Sequence, residues 1–91
     1  MRIDKFLKVS RLVKRRETAK QLCGDNDVKL NGRSAKPMAE VKEGDVLILA
    51  LGRHAITVKI LSVRPFANKE NAASMYQIIS DIVNERSNQN A

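Results

Sequence analysis

The sequence predicts one small α+β domain in which two N-terminal helices pack on a short antiparallel sheet and a C-terminal amphipathic helix follows. Three observations support this class. The length of 91 residues allows one small core. Apolar residues recur at helical spacing near both ends of the chain, and short apolar runs between them are separated by turn residues. We expect the domain to span residues 1–86 and residues 87–91 to form a flexible tail.

The N-terminal segment is predicted to form two helices rather than one. The first begins at Asp4, a residue type that caps helices well. Its apolar face consists of Ile3, Phe6 and Leu7. If this helix continued unbroken, Lys14 would project into the apolar face, so a break is expected between residues 10 and 14. The second helix is then predicted over residues 16–24. Its buried stripe consists of Ala19, Leu22 and Cys23.

The middle of the chain is predicted to form four short strands. Val28 and Leu30 alternate with a polar residue, and the pair Asn31-Gly32 favours a tight turn into a partner strand. The run VLILAL at residues 46–51 is apolar throughout and indicates a buried strand. The segment AITVKILSV at residues 55–63 alternates and is expected to pair with it as a hairpin.

The last predicted element is an amphipathic helix over residues 69–85. It is indicated by six apolar or aromatic residues at helical spacing, namely Ala72, Met75, Tyr76, Ile79, Ile82 and Val83.

The charge of the chain is strongly positive and concentrated at one end. Lys and Arg number 17 against 10 Asp and Glu, a net charge of +7. Residues 1–20 hold eight of the basic and two of the acidic side chains. Such an excess favours an anionic partner, with nucleic acid first and an acidic protein or a membrane surface second. The stretch at residues 8–21, KVSRLVKRRETAKQ, has six basic residues and one acidic residue. That scarcity of acids favours a polyanion-binding surface over the solvated face of an ordinary helix.

The candidate RNA-binding residues are the basic side chains of this N-terminal segment, Arg2, Lys5, Lys8, Arg11, Lys14, Arg15, Arg16 and Lys20. On a helical projection, Lys8, Arg11 and Arg15 fall within about 60° of one another, which predicts that they converge on one face. Arg2 and Arg16 can flank that face if the two helices meet at an angle. A helix N-terminus at Arg16 would add its own positive dipole.

The chemistry of an enzyme is sparse in this chain, which has one His, one Cys and no glycine-rich phosphate loop. We therefore expect no catalytic residues, cofactor or metal. His54 is expected in an exposed turn, and Cys23 is expected to act as a small buried apolar residue. A single cysteine, the lack of an apolar signal segment and the lack of a run near the roughly 18 residues of a membrane span predict a soluble cytoplasmic protein.

Base stacking is not expected to contribute to binding. The aromatic residues are Phe6, Phe66 and Tyr76, and two of them fall on helix faces assigned to the core. The mode of binding that remains is a surface that contacts the phosphates of duplex or folded RNA. Two alternatives stay open: a DNA-binding helix-turn-helix regulator, and a patch that docks an acidic protein.

The run RRETAKQLCGDNDVKLNG, continued by AKPMAEVKEGDVLIL, resembles the S4 RNA-binding domain family, whose S4-like (αL-type) fold the resemblance implies. The family pattern has a helix, a V-x-V-N-G turn, a K-P loop and a V-x-x-G-D turn. Eleven positions match in register: Arg16, Ala19, Leu22, Val28, Asn31, Gly32, Lys36, Pro37, Val41, Gly44 and Asp45. Arg15 replaces the usual serine, which puts the cap of the second helix in doubt. Asn26 replaces a glycine and still tolerates a left-handed backbone.

Over about residues 1–83 the chain is similar to a compact bacterial group of S4 proteins that act in ribosome quality control, with the small heat-shock S4 protein as a more distant member. The resemblance implies a non-catalytic protein that binds the stalled large (50S) ribosomal subunit. It implies contacts with 23S rRNA and peptidyl-tRNA, and support of C-terminal alanine tailing by the tailing factor RqcH. Arg2 and Arg16 are the first residues to which it assigns RNA contacts. We expect no membrane partner and a monomer off the ribosome.

Overall fold

A computed structural model describes residues 1–83 of the chain, so the predicted tail and the end of the predicted C-terminal helix lie outside the described residues. The described elements, in chain order, are α1 Ile3–Val9, α2 Arg16–Gly24, β1 Val28–Leu30, β2 Arg33–Ser34, β3 Val46–Leu51, β4 His54–Ile60, α3 Lys69–Ala73 and β5 Tyr76–Val83. The strands form one antiparallel sheet in the order β2-β1-β3-β4-β5. The small α+β class predicted from the sequence is confirmed.

The predicted break between the first two helices is confirmed. α1 ends at Val9, and Arg11 adopts a left-handed backbone with φ 65°. The turn buries Val13 and leaves Lys14 exposed, which keeps the charge out of the core. The predicted cap at Asp4 is wrong, because α1 already begins at Ile3 and Asp4 lies in its first turn.

α2 follows its predicted bounds, and Cys23 is buried as expected. Burial, followed by the nearby Asp4 charge, raises the pKa of the Cys23 thiol above its ordinary value of 9.0. The residue before the helix, Arg15, makes no side-chain capping hydrogen bond, in agreement with the loss of the family's serine. Asn26 has φ 61°, so it occupies the left-handed conformation expected of a glycine replacement.

The Asn31-Gly32 turn between β1 and β2 is also confirmed, with φ values of 51° and 88°. The Asn31 side chain joins this turn to the segment before β3. Its Oδ1 accepts a hydrogen bond from Val46 N (2.9 Å), and its Nδ2 donates to Asp45 Oδ1 (3.2 Å). Asp45 Oδ2 in turn accepts from Lys42 N (3.0 Å). The family motif residues therefore fix the sheet geometry around β1 and β3.

The hairpin of β3 and β4 is confirmed, although β4 starts at His54 and ends at Ile60, three residues before the predicted end. Alternate residues of the two strands face the helices. The fully buried ones are Leu47, Leu49, Val58 and Ile60. They pack in one core with Ile3, Phe6 and Leu7 of α1.

The predicted C-terminal helix over residues 69–85 is wrong beyond Ala73, where α3 ends. The chain continues into β5, which pairs antiparallel with β4 and forms the edge of the sheet. The pairing skips Ile79, so β5 contains a bulge that shifts its alternation by one residue. Because of this shift, the apolar residues of β5 do not show the period of two that identifies a strand. Pairing with β4 overrides the local helical spacing.

None of the described helices has the length and apolar content needed to cross a membrane.

Candidate nucleic-acid interface

A buried carboxylate organises the N-terminal cations. Asp4 is fully buried in the first turn of α1. Arg2 Nη2 donates to Asp4 Oδ2 (3.1 Å), and Arg16 Nη2 donates to Asp4 Oδ1 (3.3 Å). Arg16 Nε also lies 3.3 Å from Oδ2, within ion-pair distance but without hydrogen-bond alignment. Lys5 N completes the set of donors to this carboxylate at 2.8 Å.

The pairing satisfies Asp4 and leaves the two arginines available. A buried carboxylate needs charged or hydrogen-bonding partners, and here it has both. The side chains of Arg2 and Arg16 stay 44% and 42% exposed, so each side chain remains partly open to solvent. One negative charge thus holds two positive charges side by side, and the remaining donors suit the planar, multidentate binding of phosphate.

Backbone contacts with a distant loop place this cluster. Ile3 N donates to Ala39 O (2.7 Å), and Asp4 N donates to Pro37 O (3.2 Å). Arg2 also forms an isolated antiparallel bridge with Glu40. The start of α1 is therefore docked on the segment between β2 and β3.

The surface formed by α1, the turn at residues 10–15 and α2, which we call the two-helix corner, borders a groove of about 700 Å³. Half of the residues that line it are cations: Lys5, Lys8, Arg11, Lys14 and Arg16. The other half are apolar: Val9, Val13, Pro65, Phe66 and Ala67. The groove combines concentrated positive charge with apolar lining residues, a combination suited to a polyanion that also has flat apolar groups.

The structure brings together most of the predicted RNA-binding residues, but not all. Arg2 meets the groove residue Arg16 through Asp4. Arg15 and Lys20 are exposed and lie outside the groove lining. Of the three residues predicted to converge on one face, Lys8 and Arg11 line the same groove and Arg15 does not. They do not share a helical face, because α1 ends at Val9 and the left-handed residue Arg11 redirects the chain.

Sequence reasoning missed Phe66. This residue is 85% exposed, lines the groove, and has Lys5 Nζ over its ring at 5.9 Å from the centroid. A signal was present in the sequence, since Phe66 was the one aromatic residue that was not assigned to an apolar helix face. Phe6 is buried and Tyr76 is partly buried, so the argument against base stacking holds for these two residues but not for Phe66.

His54 lies outside the groove. It is exposed, as expected, but it is the first residue of β4 rather than a turn residue, and its Nδ1 lies 2.8 Å from Asp81 Oδ1 of β5. Across residues 1–83 the structure contains no cluster of three or more His, Cys, Asp or Glu side chains suited to hold a metal ion. The contact between His54 and Asp81 joins β4 to β5.

The basic two-helix corner on a small antiparallel sheet defines an S4-type domain, and residues 1–47 match the family model described as S4 domain. A protein of Halalkalibacterium halodurans named RQC P-site tRNA stabilizing factor is 46% identical over 86% of this chain and 89% of its own length. A Bacillus subtilis protein of the same name is 43% identical, over 89% of this chain and 94% of its own. The chain belongs to the S4 domain family and, within it, to the family of these factors, RqcP.

A solved structure supports the same assignment at the level of the fold. The structure of heat shock protein 15 from Vibrio cholerae, described as trimeric, superposes with a TM-score of 0.83 at 26% identity. The match covers 100% of this chain and 92% of the Vibrio chain.

Proposed function

We propose that this protein is a non-catalytic RNA-binding protein of ribosome-associated quality control that binds stalled 50S subunits through 23S rRNA and peptidyl-tRNA. The observation that carries the proposal is the groove lined by five cations. One of these cations, Arg16, shares the buried carboxylate of Asp4 with Arg2. The relatives support the tRNA part, since their name describes a factor that stabilises a P-site tRNA. We assign the RNA contacts first to Arg2 and Arg16 and then to the other groove cations.

We propose that the protein acts by holding the RNA in position. Groove cations neutralise backbone phosphates, and the paired guanidiniums of Arg2 and Arg16 fix the direction of the RNA strand. A tRNA held in this way stays on the subunit while a separate factor, RqcH, extends the nascent chain with alanine. The protein itself contributes binding and orientation, as a cytoplasmic single domain that is monomeric off the ribosome.

The DNA-binding alternative has less support. A recognition helix presents base-reading side chains near its N-terminus, whereas the exposed side chains of α2 are Glu17, Thr18, Lys20 and Gln21, with the acidic Glu17 in the first turn. Membership of the S4 family also favours RNA. Competition between duplex DNA and folded rRNA separates the two functions, and tighter binding to DNA would favour the regulator.

Co-sedimentation with stalled 50S complexes tests the proposal. The wild-type protein is expected to move with the complexes in a sucrose gradient, and Arg16→Ala is expected to reduce the bound fraction. With an RNA hairpin as ligand, the same substitution should reduce the slope of log K against log salt by roughly 0.7 to 0.9, the value of one lost phosphate contact.

Arg53→Ala is the matched control, because it removes the same charge from the exposed β3–β4 turn outside the groove lining. It should leave the bound fraction near that of wild type. Wild-type protein that stays at the top of the gradient would contradict the proposed function, and equal effects of the two substitutions would remove Arg16 from the site.

A further inference from the structure

The fold leaves one of its two phenylalanines in water beside the cationic groove. Phe66 is 85% exposed, whereas Phe6 is fully buried in the core. A single exposed apolar residue is common on protein surfaces and by itself indicates nothing. The position of Phe66 is what matters, since its ring lines the same groove as the five cations.

The loop that carries Phe66 is anchored on both sides. Pro65 restricts the backbone before the ring, and Ala67 packs against the core after it. The next residue, Asn68, caps α3 by accepting a hydrogen bond from Asn71 N (2.8 Å). A ring presented from such a loop loses little conformational freedom when a ligand binds.

The surroundings of the ring combine a flat apolar surface with positive charge. Lys5 Nζ lies over one face, 5.9 Å from the ring centroid. The high exposure of Phe66 leaves the opposite face open. A nucleotide offers the matching pair of groups, because its base stacks on an aromatic ring while its phosphate contacts nearby cations. An apolar peptide has no negative charges to pair with the five cations. A continuous duplex has no unpaired base to stack on the ring.

We propose that Phe66 stacks on an unpaired base of the bound RNA while the groove cations hold the flanking phosphates. This inference rests on the proposed function and specifies its ligand as RNA with a bulged, flipped or loop base. It replaces the expectation, drawn from the sequence, of a surface that contacts phosphates alone.

Three RNA hairpins of equal length test the proposal: one with a single bulged adenosine, one with an abasic nucleotide at that position, and one fully paired. Wild-type protein is expected to bind the bulged hairpin about 5- to 150-fold more tightly than the abasic one, the range measured for base–aromatic stacking. Phe66→Leu keeps an apolar side chain but removes the aromatic face. It should abolish this preference and leave the salt slope unchanged, since no phosphate contact is lost.

A fluorescence experiment reports stacking directly. The chain contains no tryptophan, so Phe66→Trp introduces a single indole at the groove. Its emission should be quenched by the bulged hairpin and change little with the abasic one. Because Phe66 is exposed, both variants should keep the circular dichroism spectrum and urea midpoint of wild type.

Failure of the proposed function and failure of the stacking inference give different results. No salt-sensitive binding of wild type to any hairpin would overturn the proposed RNA-binding function and this inference with it. Equal affinities for the bulged and abasic hairpins, or an unchanged preference in Phe66→Leu, would overturn stacking alone. If Phe66→Leu weakens association with 50S complexes without changing hairpin preference, the ring contacts protein instead, and the inference is overturned.

Discussion

The two-helix corner and the edge strand β5 both face solvent, but they carry opposite side-chain chemistry. The corner presents cations, one of which, Arg16, is held together with the adjacent Arg2 by the buried carboxylate of Asp4. β5 presents large apolar side chains that are between 49% and 63% exposed, namely Ile78, Ile79, Ile82 and Val83. Within residues 1–83, no helix covers these residues as α1 covers the inner face of β3 and β4.

This contrast teaches that exposure alone does not mark a binding site. The corner is a candidate site because contacts inside the fold fix its exposed groups, as Asp4 fixes Arg2 and Arg16. The exposed apolar residues of β5 are held through the backbone pairing of this strand with β4, and the one described polar side-chain contact of the strand with β4 is that of Asp81 with His54. Substitutions in the two regions should therefore separate functional from structural effects.

The largest effect is expected at the residue that anchors β5. Met75 precedes the strand and is fully buried, so Met75→Ala should lower the free energy of unfolding by about 3 kcal/mol. The exposed bulge residue is the control, and Ile79→Ala should cost less than about 0.5 kcal/mol. Urea unfolding measures both values. Equal losses would mean that exposed apolar residues also hold β5, which would contradict the comparison.

The next effect concerns the orientation of the arginines. Asp4→Asn keeps the shape of the side chain and removes its charge, so it should cost about 2 kcal/mol of stability, the scale of hydrogen bonds to a charged group. It should also weaken RNA binding several-fold, although it raises the net positive charge. Hairpin titration checks the affinity after folding has been verified.

Glu17→Gln is the matched control for Asp4→Asn. It removes one negative charge from the exposed first turn of α2, outside the groove lining, so it should leave RNA binding equal to wild type or slightly tighter. Tighter binding by both variants would show that charge matters and orientation does not.

A smaller effect is expected on the edge strand itself. Ile82 is 63% exposed, and Ile82→Thr keeps a β-branched residue while removing apolar surface. The stability should change by less than about 0.5 kcal/mol, and hairpin affinity should not change. Sedimentation velocity of wild type and variant tests the predicted monomer. A larger wild-type species that this substitution dissociates would show that β5 joins copies of the chain.

The smallest effect is a pH dependence beside the corner. Because burial and then Asp4 raise the pKa of Cys23 above 9.0, the folded protein holds this proton more tightly than the unfolded chain does. The resulting stability is fully present below the unfolded pKa and is lost as pH rises through the folded value. The wild-type free energy of unfolding minus that of Cys23→Ala should therefore be flat at neutral pH and fall above about pH 9. A difference that rises with pH would contradict the raised pKa.

Local chemistry explains what could be predicted from the sequence. A lysine cannot lie in an apolar face, so the break before Lys14 was predictable, and Asn31-Gly32 suits a turn that needs two positive φ values. The shared carboxylate was not predictable, because Arg16 reaches Asp4 only through the packing of α1 against α2. β5 was missed because its bulge at Ile79 breaks the period of two on which recognition of a strand depends.

The docking of α1 on the segment between β2 and β3 also orders the events of folding. The hydrogen bond from Ile3 N to Ala39 O joins residues that lie far apart in the chain. Such non-local contacts form after local ones, since a long loop must close first. During synthesis the eight cations of residues 1–20 therefore leave the ribosome well before Ala39 can fix α1 in place. The nascent chain acquires its charge early and its binding geometry late.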